Sequence, residues 1–176
     1  MTEGWLAEVR LKPIGFVKHR YSDEEVKNSL SGVDAVIELL PEYSEGLKGL
    51  EGFSHIIIIA YLHKVSEEQR KVLQVKPRGL ARRLGAPLDT LPTVGVFATC
   101  SPHRPNPIAI TIAKLVKTEK NKLYVENIDL YNQTPVLDIK PYTPNRCIEG
   151  ATVPKWIQNP SSAESKKLPN HRIDMC

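Results

Sequence analysis

No run of about 18 apolar residues occurs anywhere in the sequence, which excludes an ordinary membrane-spanning helix. Glu3 and Glu8 stand where a signal peptide would carry its apolar stretch, so a cytoplasmic protein is expected. Cysteine is scarce. Cys100, Cys147 and Cys176 are widely spaced and odd in number, which suits neither a zinc knuckle nor a disulfide framework and favours a reducing compartment. No G-x-G-x-x-G follows any apolar run, so a Rossmann-type nucleotide site has no support. Neither charge sign dominates. Lys and Arg total 24 against 20 Asp and Glu, and the net charge of +4 permits an anionic partner such as RNA without demanding one.

Proline, by contrast, is plentiful. Fourteen of the 176 residues lack a backbone donor for this reason, which favours short strands and shaped loops over a helical bundle. A chain of this length, with 41 % hydrophobic and 25 % charged residues, suits one soluble domain with a tail. Strands are expected over residues 11–20, 94–99, 122–128 and 135–142, and over 108–117 a strand with a helix as the alternative. Residues 35–40 read as a strand or a short helix, and 21–32 as a loop or a frayed helical turn. Residues 55–62, HIIIIAYL, have no polar face and β-branched side chains, the pattern of a central strand covered on both sides. Helical texture falls over 43–50 and over 66–75, the latter with Ser66 as N-cap, and Pro77 and Gly79 read as opening a loop. The expected fold is mainly β, a small closed β-barrel with one or two short helices, with an α/β arrangement as the alternative.

Residues 101–107, SPHRPNP, hold three prolines in seven positions. Each fixes its own φ and biases the residue before it towards extended backbone, so the loop is rigid and presents His103, Arg104 and Asn106 at set angles. Such a loop serves a binding site or merely stiffens a connection, and composition does not separate the two.

Three segments carry a resemblance. GLEGFSHIIIIAYLHK (49–64), GVFATCSPHRPNPI (95–108) and IDLYNQTPVLDIKPYTP (128–144) are similar, in order and spacing, to the signature blocks of the TsaA-like, or TrmO, family. The resemblance covers roughly residues 10–145 and implies a small β-barrel methyltransferase unrelated to the Rossmann type. It implies S-adenosyl-L-methionine as cofactor and tRNA as partner, with methylation at the amino nitrogen of threonylcarbamoyl-adenosine beside the anticodon. It places cofactor contacts at His63, Lys64, Cys100, Ile110, Glu126, Asn127, Ile128 and Asp129, with Asp129 or Glu126 as the carboxylate for the ribose. On the same basis residues 1–145 form the methyltransferase domain and 146–176 a tail, and a homodimer is expected. An activated sulfonium donor needs positioning and exclusion of water more than a metal or a triad.

Two residues depart from the family, which usually has arginine at Cys100 and glycine at Ala109. The loop after the first strand, EEVKNSLSG, is also shorter than the proline- and glutamine-containing loop of bacterial members. Arg104, Asn106 and Tyr142 are the catalytic candidates. Asp138, Lys140 and Tyr142 share one strand face, either a polar face ending at solvent or a site where Tyr142 would stack on the target base, Lys140 meet phosphate and Asp138 orient Arg104. Arg70, Lys71, Lys76, Arg78, Arg82 and Arg83 occur over 69–88 without an internal acid, as a phosphate-contacting stripe or a solvated face. His55 and His63 share strand parity, but eight residues of strand span about 26 Å, too far for one ion. The competing functions are a non-catalytic RNA-binding barrel and a methyltransferase of small molecules.

Overall fold

The computed structural model describes residues 9–158. Outside them lie Glu3, Glu8 and Cys176, the first eight residues of the domain expected over 1–145, and most of the tail expected over 146–176.

The described residues form eight strands: β1 (Gly15–Lys18), β2 (Val33–Leu39), β3 (His55–Tyr61), β4 (Gln74–Val75), β5 (Val94–Gly95), β6 (Ile108–Glu119), β7 (Lys122–Ile128) and β8 (Pro135–Pro141). Six of them close a barrel in the order β1-β2-β7-β6-β3-β8, with every neighbouring pair antiparallel. Closure removes free sheet edges, as the expected mainly-β barrel requires.

Alternation along the strands fills the interior. Val33, Ala35, Ile37 and Leu39 of β2 point inward, and Leu123 and Val125 of β7 meet them across the pair. β3 lies between β6 and β8. Ile56 and Ile58 are fully buried, and Ile57, on the opposite face, is only 6 % exposed, so the isoleucine run is covered on both sides as its composition predicts. Ile59 is half-buried.

Three short helices decorate the barrel: α1 (Asp23–Asn28), α2 (Glu67–Arg70) and α3 (Arg78–Leu84). The first occupies the segment read as a loop or frayed helical turn. A capping box fixes it, the Ser22 side chain accepting from the Glu25 amide while the Glu25 carboxylate accepts from the Ser22 amide at 2.7 Å. The helix expected over 66–75 stops at Arg70, because the chain then pairs β4 with β5 in a separate two-stranded sheet. The loop expected at Pro77 and Gly79 is instead the start of α3. Pro77 sits at its N-cap, and Gly85, at φ 62°, ends it by returning the Ala86 amide to the Ala81 carbonyl at 3.0 Å. The strand expected over 94–99 is cut to Val94–Gly95, since residues 96–98 turn into a 3₁₀ helix.

Candidate active site

Antiparallel closure brings distant segments to one end of the barrel. The chain leaving β3 carries His63 and Lys64, and the Leu62 amide donates to the Pro107 carbonyl at 2.8 Å, beside the start of β6. The end of β7 reaches the same rim, where Ile128 pairs with Val33 of β2. Cys100 lies, exposed, in the loop running into β6, and Ile110 stands on the outer face opposite Ile59, 56 % exposed.

The 126–129 run is shaped by its backbone. Between the Val33 and Ala35 registers β7 carries an extra residue, a β-bulge, and Asn127 there adopts φ 66°. Gly32 is the reason the bulge fits. A Cβ on Gly32 would lie 2.6 Å from the Asn127 carbonyl carbon and 2.8 Å from the Ile128 amide nitrogen, so no side chain is tolerated. The bulge divides the two carboxylate candidates. Glu126 is committed on the outer face to Lys114 at 2.8 Å, whereas exposed Asp129 has one oxygen held by the Thr111 hydroxyl at 2.7 Å.

Electrostatics tie α1 to this rim. Lys64 forms an ion pair with Asp23, and its ammonium lies 5.1 Å from the centroid of the Tyr131 ring. Burial, then the Lys64 charge, lowers the His63 pKa below the ordinary imidazole value, with Asp23 opposing. Burial and then Asp23 push the Tyr131 phenol up, keeping it a neutral donor. Sequence reasoning missed Asp23, Tyr131, Thr111 and Gly32. The Ser-x-x-Glu capping signature at Ser22 was the one local signal that would have placed Asp23 in a helix rather than a loop.

The proline-rich loop has a different organisation from the one expected. Arg104 donates from Nε to the Ser101 carbonyl at 2.8 Å and from Nη2 to the carbonyls of Val96 and Thr99. Its guanidinium is thereby spent on the loop itself rather than aimed outward. The expected Asp138–Arg104 pair does not form. Asp138 accepts from the Ile139 amide and pairs with Lys140 at 2.6 Å, which does place Asp138 and Lys140 on one face. Asn106 is exposed, and His103 is half-buried with its amide bonded to the Ser101 hydroxyl at 3.2 Å. Tyr142 does not join the rim. Its amide donates to the His55 carbonyl at the opposite end of β3, about 20 Å of strand away from Tyr61.

The basic stripe is partly neutralised. Arg70 pairs with Glu67 at 2.9 Å and packs on the Tyr61 ring, and Lys71 pairs with Glu68 at 2.8 Å. These acids precede the segment that seemed to lack counter-charges. Lys76, Arg78, Arg82 and Arg83 remain exposed on or beside α3, with Arg82 reaching the Lys27 carbonyl at the end of α1. Among the described residues, no helix is long and apolar enough to cross a membrane.

Solved structures define the class. A crystal structure of TrmO from Pseudomonas aeruginosa superposes with a TM-score of 0.63 and 27 % identity, over 90 % of this chain and 66 % of that one. The chain belongs to the tRNA-methyltransferase O N-terminal domain family, whose profile matches residues 25–146. A probable S-adenosyl-L-methionine-binding protein of Methanocaldococcus jannaschii is 42 % identical over 131 residues, covering 74 % of this chain and 89 % of that protein. The human tRNA (adenine(37)-N6)-methyltransferase is 46 % identical over 102 residues, and these cover 58 % of this chain and 20 % of the human protein.

Proposed function

We propose that this chain is an S-adenosyl-L-methionine-dependent tRNA methyltransferase acting on the amino nitrogen of threonylcarbamoyl-adenosine next to the anticodon. Membership of the family and the methyltransferase relatives support the reaction and the cofactor. Human and rat relatives are adenine(37)-N6 enzymes of tRNA, which supports an adenine amino nitrogen as acceptor. The threonylcarbamoyl group rests on the three sequence blocks. The observation that carries the proposal is the convergence of residues 62–64, 107–111 and 128–131 on one barrel rim.

The residues there fit such a cofactor. Asp129 offers a carboxylate oxygen beyond its bond to Thr111 for ribose hydroxyls, and exposed Ile110 offers an apolar surface to adenine. Lys64 supplies a cation for a carboxylate, steadied by Asp23. When bound, such a donor would supply an activated methyl on a sulfonium sulfur, leaving as a neutral thioether once the methyl passes to the acceptor nitrogen. His63, disfavoured as a cation, holds a lone pair able to accept a proton at this rim. Arg104 keeps the neighbouring loop rigid, which fixes the approach of the acceptor.

The methyltransferase domain is residues 1–145, followed by the tail, and the setting is the cytoplasm. A homodimer would cover Phe97, 81 % exposed, together with Ile108, leaving Ile110 to the cofactor. Arg78, Arg82 and Arg83 of α3 meet tRNA phosphates.

Methyl-labelled donor, incubated with tRNA carrying or lacking the threonylcarbamoyl group, tests the reading. Label is expected only in the modified tRNA, and label on unmodified adenosine would overturn the finer substrate. Cys100, where the family usually has arginine, favours one other reading, a barrel that binds RNA without catalysis. Retained tRNA binding with no label on either RNA would select it.

A further inference from the structure

We infer that Thr111 is a positioning residue for the donor site, orienting the Asp129 carboxylate that the proposed function assigns to the ribose. The inference rests on that reading of the rim. Thr111 is 8 % exposed and faces inward on β6, opposite Ile58 and between Ala109 and Ala113. Among the described residues only Thr111 and Thr134 are polar and buried, so a hydroxyl at this point of an aliphatic interior needs a reason.

A buried hydroxyl without a partner is costly, and Thr111 satisfies its donor through Asp129 Oδ1 at 2.7 Å. A hydroxyl-to-carboxylate bond of this length is charge-assisted and short. The terminal torsion of an aspartate is otherwise broad, because its rotamer wells are shallow. Asp129 is exposed and lies just past the end of β7, two positions after left-handed Asn127, so strand pairing does not fix its side chain. The bond engages Oδ1, and Oδ2 of this exposed residue is left for another donor. Two vicinal hydroxyls, as on a ribose, then meet an acceptor already set in direction, with less freedom to lose on binding.

A purely structural role predicts a different outcome on substitution. Valine at 111 keeps the β-branched shape and suits the apolar surroundings, while Asp129, being exposed, hydrates freely. The fold is therefore expected to survive while donor binding suffers.

Calorimetric titration with S-adenosylhomocysteine tests this on the full chain, with thermal melting as the control for folding. Thr111→Val is expected to weaken binding about five- to thirty-fold with little change in melting. Thr111→Ser, which restores the donor, is expected to return binding to within about two-fold of the parent. In Asp129→Asn, adding Thr111→Val should change nothing further, since the two act through one bond. Wild-type affinity in Thr111→Val, or additive losses in the double variant, would overturn the inference while leaving the site in place. Wild-type affinity in Asp129→Asn alone would overturn the reading of the rim, and the inference with it.

Discussion

The Arg104 guanidinium donates to the Val96 carbonyl across eight residues at 3.2 Å, and the same nitrogen also reaches the Thr99 carbonyl. With Nε on the Ser101 carbonyl, one side chain joins both ends of the 3₁₀ turn that exposes Phe97 to the start of the proline loop that follows. Arg104, one of the catalytic candidates of the sequence, is an internal strut of the loop.

Replacing Arg104 is therefore expected to act through the loop. Arg104→Ala leaves three carbonyls to find water and costs about 2–3 kcal/mol locally, lowering activity and speeding proteolysis between residues 96 and 107. Arg104→Lys should rescue little, because a single ammonium lacks the planar fork that reaches three acceptors. Limited proteolysis beside turnover measurements checks this, and full activity in the alanine variant would refute the strut.

Gly32 carries the bulge of β7 on its bare Cα. Gly32→Ala combines a left-handed φ of 76° with a Cβ 2.6 Å from the Asn127 backbone, and about 2–4 kcal/mol of destabilisation is expected. Chemical denaturation with urea measures it, and a change below about 0.5 kcal/mol would contradict the close packing.

His63 should titrate below the ordinary imidazole value, because burial first and Lys64 second disfavour its cation. The unfolded chain then binds the proton more readily than the folded one. His63's contribution to stability is thus complete above the ordinary imidazole range and is lost as pH falls through that range towards the folded value. NMR titration of the ring protons reports the midpoint. Asp23→Asn is expected to lower it further and Lys64→Met to raise it, each through the loss of one charge; shifts of opposite sign would disprove the arrangement.

Binding of tRNA should separate the two halves of the basic segment. Arg78→Ala is expected to reduce the magnitude of the slope of log K against log salt by about 0.7–0.9, the effect of leaving one phosphate without its cation. Lys71→Ala should change it less, since Glu68 already neutralises that ammonium at 2.8 Å. Filter binding across a salt series measures both, and equal slopes for the two variants would remove α3 from the RNA surface.

Much of the barrel was legible locally. Alternation in residues 122–128 and the β-branched run at 55–62 need only neighbours in sequence to be read, and both segments are strands. Where local signals were weak or competed, the reading failed. Pro77 and Gly79 look like loop punctuation until Gly85 closes α3 with its left-handed cap, and residues 96–99 leave the strand because Arg104 draws their carbonyls together. The same holds for the active-site rim.

The sequence by itself favoured a small β-barrel over an α/β arrangement, and its three signature blocks identified the family. Tertiary structure alone decided which residues share an end of that barrel. Antiparallel closure puts Lys64, Asp129 and Tyr131 at one rim and Tyr142 at the other, although Tyr142 is nearer to Asp129 in sequence than Lys64 is. Strand length separates what sequence proximity joins, and hydrogen bonds across the barrel, such as that between Thr111 and Asp129, unite what it separates.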